Sequence, residues 1–247
     1  MIYVTGDTHG EMNKFSNKNA PYLQANDIII ICGDFGGIWD GSKREKYWLD
    51  WLASKEQTFC FVDGNHENFD LLHQYPTTLW NSGYVHLVKE NVIHLMRGQI
   101  YTIENKSFFT MGGASSHDIQ GGILELDDPL LKSKMRKLNK KQIPYRINRH
   151  SWWVEELPSK DELAEGIIAL ELVGWQVDYI ISHCAPTSIQ HQIDKPPYMY
   201  ETDRLNQYFE EIKDKCDFKH WYFGHYHQDQ SINDKFTLVY DKLLPLN

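Results

Sequence analysis

Five short segments of the chain are rich in aliphatic and β-branched residues, and each ends in a Gly, Asp, Asn or His. These segments are Ile2–Asp7, Ile28–Asp34, Thr58–Asn65, Val177–His183 and Trp221–His225. Continuous apolar runs of this length are typical of strands that are covered on both faces. The pattern therefore predicts buried strands that end in polar residues.

Three other stretches have a helical period: Ser42–Lys55, a segment from Ser159 to about Val173, and Thr202–Lys215. The first two begin with Ser and Glu three residues apart, which is the spacing of an N-terminal capping box. These pairs are Ser42 with Glu45 and Ser159 with Glu162. The first helix is expected to pack through one side, which carries Tyr47, Trp48, Trp51 and Leu52. The third has Leu205, Phe209 and Ile212 in register, so all three stretches are predicted as amphipathic helices.

The remaining chain divides into strand-like and irregular parts. The stretch Val92–Gly113 alternates as paired strands do, and Phe236–Leu246 resembles a final strand. Segment 115–158 contains several Gly and Pro residues and is predicted to be an irregular functional insertion. Strands and helices in layers indicate an α/β fold.

Length and composition favour one domain without a membrane segment. The 247 residues are 41% hydrophobic, enough for one sizeable core, so residues 1–247 are expected to form a single domain. No apolar run approaches the roughly 18 residues that span a bilayer, and the first residues lack the pattern of a signal peptide. Four scattered cysteines without a CxxC pair are interpreted as reduced thiols. A cytoplasmic location is expected.

The formal net charge of −9 opposes tight nonspecific binding of nucleic acid, which depends on Lys and Arg that neutralise phosphates. One local exception is the segment Lys132–Arg149, which has eight Lys or Arg residues and no Asp or Glu. Nucleic acid is therefore expected only as a substrate. The oligomeric state does not follow from the sequence.

Nearly every predicted core strand is followed by a potential metal ligand. The five motifs are Asp7-Thr8-His9, Gly33-Asp34, Gly64-Asn65-His66-Glu67, Ser182-His183 and Gly224-His225-Tyr226-His227. Carboxylate, imidazole and amide groups without thiolates suit divalent ions such as Mn, Fe, Zn or Ni. Because open α/β sheets bind ligands at the carboxyl ends of their strands, these side chains are expected to converge.

This ordered series resembles the calcineurin-like metallophosphoesterase superfamily, and the resemblance spans residues 7 to 227. It implies a four-layer α/β/β/α sandwich of two mixed sheets flanked by helices. It also implies two divalent metal ions between the sheets. A hydroxide that bridges the ions would attack the phosphorus of a phosphate ester.

The resemblance assigns each motif a role. Asp7, His9 and His227 would bind one ion, Asn65, His183 and His225 would bind the other, and Asp34 would bridge them. His66 is similar to the family's non-ligand histidine, which stabilises the phosphoryl group or protonates the leaving oxygen. Asn65 and His66 would thus also contact the substrate, and Asp34 and His66 are the predicted catalytic residues.

One departure from the family's protein phosphatases concerns substrate binding. These enzymes have an Asp and an Arg shortly after the bridging Asp, whereas this chain has Phe35-Gly36-Gly37-Ile38-Trp39. The departure opposes a protein phosphatase and leaves phosphate binding to other residues. His117 and Arg149 in the insertion are candidates, since Arg can bind phosphate through two nitrogens.

The sequence thus predicts a hydrolase of phosphomonoesters or phosphodiesters. One alternative is a nuclease or a cyclic-nucleotide phosphodiesterase on the same site, which the basic insertion favours and the overall acidity opposes. Another is a noncatalytic metal-binding scaffold, which the complete set of ligands opposes.

Overall fold

A computed structural model of the chain describes residues 1–193 and 200–246. Its first sheet contains β1 (Ile2–Thr5), β2 (Ile28–Ile31), β3 (Thr58–Phe61), β4 (Thr77–Trp80), β5 (Gly83–Lys89), β6 (Val92–Leu95) and β15 (Leu244–Pro245). The strand order is β15-β1-β2-β3-β6-β5-β4. Strands β1, β2, β3 and β6 are parallel, and the other three are antiparallel to their neighbours, so the sheet is mixed.

The second sheet contains β7 (Gln99–Ile103), β8 (Lys106–Met111), β11 (Gln176–Ser182), β12 (Asp217–Phe223), β13 (Gln230–Asn233) and β14 (Phe236–Leu238). Its order is β13-β14-β12-β11-β8-β7. Strands β8, β11, β12 and β14 are parallel, whereas β7 and β13 are antiparallel to their neighbours. This sheet is therefore also mixed.

The helices are α1 (Lys43–Ala53), α2 (Phe69–Leu72), α3 (Leu131–Lys140), α4 (Lys160–Leu172), α5 (Thr187–Gln190) and α6 (Arg204–Lys215). Short 3-10 turns cover Met12–Phe15 and Val154–Glu156. In the described ranges, no helix is both long and apolar enough to cross a membrane.

Side chains that alternate between the two faces of each central strand join the sheets and helices into layers. In β1 the side chain of Val4 packs between the two sheets, together with Tyr179 and Ile181 of β11. Tyr3 points to the opposite face, where it shares a core with Leu49 of α1. Successive residues of a strand point to opposite faces, so each buried strand contributes to two cores.

The outer face of the second sheet also packs against helices. Ile180 of β11 packs there with Leu170 of α4 and with Phe209 of α6. Helices, two mixed sheets and further helices therefore form successive layers, and the predicted four-layer α/β/β/α sandwich is confirmed.

The three predicted helices are present, with one difference at α1. Ser159 and Glu162 form the complete capping box of α4. At α1 only half of the box forms, because Glu45 accepts hydrogen bonds from the amides of Trp39, Asp40 and Gly41 instead of from the amide of Ser42. The fully buried residues of α1 are Leu49 and Leu52, whereas Tyr47 is exposed and Trp48 and Trp51 are partly buried.

Two other stretches differ from a simple prediction. The expected final strand at Phe236–Leu246 is two short strands in different sheets, β14 and β15. Segment 115–158 contains helix α3 and a short parallel pair, β9 (Ile123–Leu124) with β10 (Arg146–Ile147), besides irregular chain. All four cysteines are buried and none forms a disulfide, as predicted.

Candidate metal centre

The carboxyl ends of five strands meet at one edge of the two-sheet sandwich. Strands β1, β2 and β3 run parallel in the first sheet, and β11 and β12 run parallel in the second. The polar residues that follow them are Asp7, His9, Asp34, Asn65, His66, His183, His225 and His227. Contacts across the two sheets join these residues, among them the amide of His225 with Oδ1 of Asp7 at 3.0 Å.

Asp7, His9, Asp34 and His227 form one cluster, whose candidate ligand atoms all lie within 4.8 Å of one another. Nε2 of His227 lies 3.2 Å from Oδ2 of Asp7 and 3.1 Å from Nε2 of His9. Both carboxylates are buried, and both imidazoles are solvent-accessible. The structure thus brings together the residues predicted for one ion, along with Asp34.

His183, Asn65 and His225 form a second group beside Asp34. Nε2 of His183 lies 3.3 Å from Oδ1 of Asp34 and 3.3 Å from Oδ1 of Asn65. The rings of His183 and His225 are in edge contact, with centroids 5.0 Å apart. Nδ1 of His183 lies 2.7 Å from the carbonyl oxygen of Cys32. Because a carbonyl only accepts, Nδ1 carries a hydrogen, so Nε2 is the nitrogen that can bind a cation once it has lost its proton.

Asp34 contacts both groups. Its Oδ2 lies 3.9 Å from Nδ1 of His9, and its Oδ1 lies 3.3 Å from Nε2 of His183. The φ of Asp34 is 49°, in the left-handed region, and His9, His225 and His227 also have positive φ values. Residues other than glycine rarely adopt this conformation, and such strain is concentrated at functional sites. The backbone is therefore bent at four of the seven candidate ligands.

Two glycines allow the carboxylates to approach the neighbouring backbone. A Cβ atom at Gly64 would lie 2.1 Å from Oδ1 of Asp34, and one at Gly224 would lie 2.3 Å from Oδ1 of Asp7. Any larger residue at either position would displace a candidate ligand. The glycines of the motifs are thus part of the site's geometry.

The charges of the site suit divalent cations. Oδ2 of Asp7 is buried and accepts no hydrogen bond from the described residues. Burial disfavours ionised Asp34, but nearby His183 lowers the pKa of that carboxyl below its usual value. Burial also lowers the pKa of His183, yet the Asp34 carboxylate outweighs this effect and raises it to about 9. Buried carboxylates of this kind need a positive charge nearby. A divalent metal ion supplies that charge, and the nitrogen and oxygen donors of the site can bind such an ion.

The family model described as calcineurin-like phosphoesterase matches residues 1–229. The chain belongs to this family. It is therefore a metal-dependent phosphoester hydrolase, and the predicted family and enzyme class are confirmed. Membership of the family implies divalent metal ions, in agreement with the cluster of possible ligands around Asp7 and Asp34.

The chain also has similarity to two solved structures. Phosphopantetheinyl hydrolase from Mycobacterium tuberculosis is 13% identical, with a TM-score of 0.49 over 97% of this chain and 89% of its own. A putative 5′-nucleotidase from Staphylococcus aureus is 13% identical, with a TM-score of 0.43 over 97% of this chain and 48% of its own. No curated protein sequence matches the chain significantly.

His66, the predicted non-ligand histidine of the phosphoesterase, borders the first cluster. Its amide donates a hydrogen bond to Oδ1 of Asp34 at 2.7 Å, and its ring lies 5.4 Å from the ring of His9. Burial lowers the pKa of His66. The neighbouring Glu67 accepts a hydrogen bond from the amide of Phe35 at 2.7 Å, so its carboxylate stabilises the loop that carries Asp34.

The two substrate-side candidates occupy different surroundings. The ring of His117 lies 5.9 Å from the ring of His225, at the edge of the second group. The guanidinium of Arg149 forms ion pairs with Asp70 at 2.7 Å and with Glu155 at 2.9 Å. His117 is thus brought to the candidate centre, whereas Arg149 has carboxylate partners of its own.

Sequence reasoning missed one contact between the insertion and the centre and two contacts within the insertion. The hydroxyl of Ser116 lies 3.4 Å from Nδ2 of Asn65 and donates to Glu156 at 2.6 Å. Asp118 forms a two-pronged ion pair with Arg146, in which Nε of the arginine lies 2.9 Å from Oδ1. The only sequence signal was the polar run after β8, since two residues 28 positions apart have no periodic relation in the sequence.

Proposed function

We propose that this phosphoesterase hydrolyses phosphomonoesters or phosphodiesters at a centre that binds two divalent cations. The position of Asp34 carries the proposal, because its two carboxylate oxygens face different groups of candidate ligands. Two cations close together repel each other, and a shared carboxylate offsets that repulsion.

In this proposal the predicted ligand sets are retained. Asp7, His9 and His227 hold one ion, Asn65, His183 and His225 hold the other, and Asp34 contacts both. When bound, ions such as Mn, Fe, Zn or Ni lower the pKa of water and neutralise charge on phosphoryl oxygens. The buried carboxylates and the fixed Nε2 of His183 support this assignment.

His66 acts on the substrate in the proposal, not on a cation. Burial lowers the pKa of its imidazole. The ring can hydrogen-bond a phosphoryl oxygen, and its protonated form can give a proton to the departing oxygen. The bond from its amide to Asp34 fixes the residue beside the centre. Asn65 contacts the same phosphoryl group.

Two arginines are candidates for binding phosphate, and their contacts favour Arg146 over Arg149. Asp118 fixes Nε and Nη2 of Arg146, while Nη1 makes no hydrogen bond to a described residue. The positive charge of Arg146 also reaches His66, where it adds to burial in lowering the pKa. In Arg149 both terminal nitrogens already pair with carboxylates. His117, beside His225, is the other residue proposed to contact the substrate.

The test combines metal content with hydrolysis. Protein loaded with Mn, Fe, Zn or Ni is assayed on 4-nitrophenyl phosphate, on bis(4-nitrophenyl) phosphate and on single-stranded DNA. Asp34→Asn should lose metal and activity together, because the shared carboxylate is weakened. His66→Ala should retain the metal while kcat falls by about 10²–10⁴-fold, as expected for a lost proton donor.

Exposed His150 provides a matched control, and His150→Ala should change neither property. Loss of metal from His66→Ala would make His66 a ligand. Full metal and full activity in Asp34→Asn would refute the shared carboxylate. Preference for the bis-ester or for DNA would select the phosphodiesterase or nuclease alternative.

A further inference from the structure

A cavity of about 370 Å³ opens beside the candidate centre on the side of His66. His9 and His66 line one part of it, and Trp39, Trp48 and Arg44 line another. Its volume lies within the range of small-molecule sites, which begins at roughly 300 Å³. The cavity is therefore large enough for the organic part of a substrate whose phosphate lies at the metal ligands.

The two tryptophans of the cavity are fixed by aromatic neighbours. The ring of Trp39 is in edge contact with Trp153 at 5.4 Å, and Trp48 is in edge contact with Trp51 at 5.3 Å. Glu45 binds the amide of Trp39 at 2.7 Å. Indoles that are held in place before binding provide contact area at little cost in conformational entropy.

Charged groups accompany these aromatic rings. Arg44 and Glu11 form an exposed ion pair at 3.5 Å, and Asp40 also lines the cavity. Aromatic surfaces beside charged, hydrogen-bonding groups suit a ligand that is both flat and polar better than an acyl chain, which would use only the aromatic surfaces. A nucleobase has both properties.

We propose that the leaving group of the substrate is a nucleoside, whose base binds between Trp39 and Trp48. This inference rests on the proposed function, in which His66 gives a proton to the departing oxygen. The leaving group must then lie on the His66 side of the centre, where the cavity opens. Hydrolysis breaks the bond from phosphorus to the ester oxygen, water adds its oxygen to phosphorus, and the ester oxygen takes a proton to give the free nucleoside.

The experiment compares Trp48→Ala with the unchanged protein in two assays. Isothermal titration with adenosine measures binding to the cavity and requires no hydrolysis. The ratio of kcat/KM for adenosine 5′-monophosphate to that for glycerol phosphate measures selectivity during turnover. Loss of one stacking partner should lower adenosine affinity and the selectivity ratio by about 5–150-fold each.

Two further variants support the interpretation. Trp48→Phe retains a stacking ring and should restore most of the affinity and selectivity. Tyr84→Ala removes an exposed aromatic residue of β5, outside the cavity, and should change neither. Adenosine binding and a selectivity ratio that are unaffected in Trp48→Ala would overturn the proposal, even if the enzyme hydrolyses esters. Absence of hydrolysis with every ester would refute the proposed function instead, and adenosine binding would still test the cavity.

Discussion

Replacement of Arg97 by Met should destabilise the protein by removing the partner of a buried carboxylate. Nε of Arg97 donates to Oδ2 of Asp63 at 2.9 Å, and the two side chains are only 5% and 1% exposed. Nη2 of Arg97 also donates to the carbonyl oxygen of Glu155 at 2.7 Å, in the insertion. Asp63 directly precedes Gly64 and the Asn65–His66 pair, so the contact also supports the candidate centre.

The expected loss follows from the burial of both groups. Removal of one partner from a buried ion pair costs about 3–5 kcal/mol, because an uncompensated charge remains in the interior. For a chain of this length each kcal/mol shifts the unfolding midpoint by roughly 2–4 °C, which corresponds to a decrease of about 6–20 °C. Among the described residues, the side chain of Asp63 would retain the contact with Nε2 of His94, at 3.1 Å.

The loss should also depend on pH. Burial opposes ionised Asp63, but Arg97 and His94 lower the pKa of its carboxyl below the usual value. In the unchanged protein the stability from this lowered pKa is fully present above the unfolded pKa of about 3.9 and is lost as the pH falls through the folded value. In Arg97→Met, burial without the guanidinium raises the pKa of Asp63. When Asp63 takes up a proton, the cost of its buried, unpaired charge is removed. The difference in unfolding free energy between Arg97→Met and the unchanged protein therefore becomes smaller towards pH 4.

Urea unfolding followed by circular dichroism at pH 7 and pH 4.5, with the same chelator in all samples, measures both effects. Arg149→Met is the matched control, because its ion pairs are about half exposed and should contribute within about 1 kcal/mol. Equal stability of Arg97→Met and the unchanged protein at pH 7 would refute the buried-pair reasoning. So would a stability difference that is as large at pH 4.5 as at pH 7.

Two further predictions concern the centre itself. Arg146→Ala should raise the inhibition constant of inorganic phosphate by about tenfold or more, the value of one charge-assisted hydrogen bond, whereas Arg149→Ala should leave it nearly unchanged. A larger increase of the inhibition constant in Arg149→Ala than in Arg146→Ala would instead indicate that Arg149 binds the phosphate. Gly64→Ala should abolish metal uptake measured by atomic absorption, because the new Cβ would lie 2.1 Å from Oδ1 of Asp34; stoichiometric uptake would show that the loop can move without consequence.

The sequence was sufficient to predict the strands and the positions of the candidate ligands that follow them. Strands such as Ile28–Ile31 are buried on both faces, so each is visible in the sequence as a short, continuous apolar run. Each candidate ligand comes directly after such a run, and parallel strands place their carboxyl ends at one edge of a sheet. The convergence of Asp7 and Asp34 in the first sheet therefore followed from local patterns. The approach of His183 from the second sheet was expected only from the family resemblance.

The contacts around the ligands did not follow from the sequence. Arg97 pairs with Asp63 across 34 positions, and Asp118 pairs with Arg146 of β10 across 28. Such pairs have no spacing rule, since any basic residue can partner any acidic one when the fold brings them together. The contact of Glu67 with the amide of Phe35, in the turn after Asp34, likewise has no signal in the sequence.

The loop from Asp63 to Glu67 is fixed at both ends, which explains how the strained backbone at Asp34 persists. Arg97 holds the first carboxylate, and Glu67 accepts from the amide of Phe35. Between these anchors the amide of His66 donates to Oδ1 of Asp34. The fold thus positions the Asp34 carboxylate through protein contacts alone. In the proposed function, a cation then binds with little rearrangement and supplies the positive charge that the buried carboxylates require.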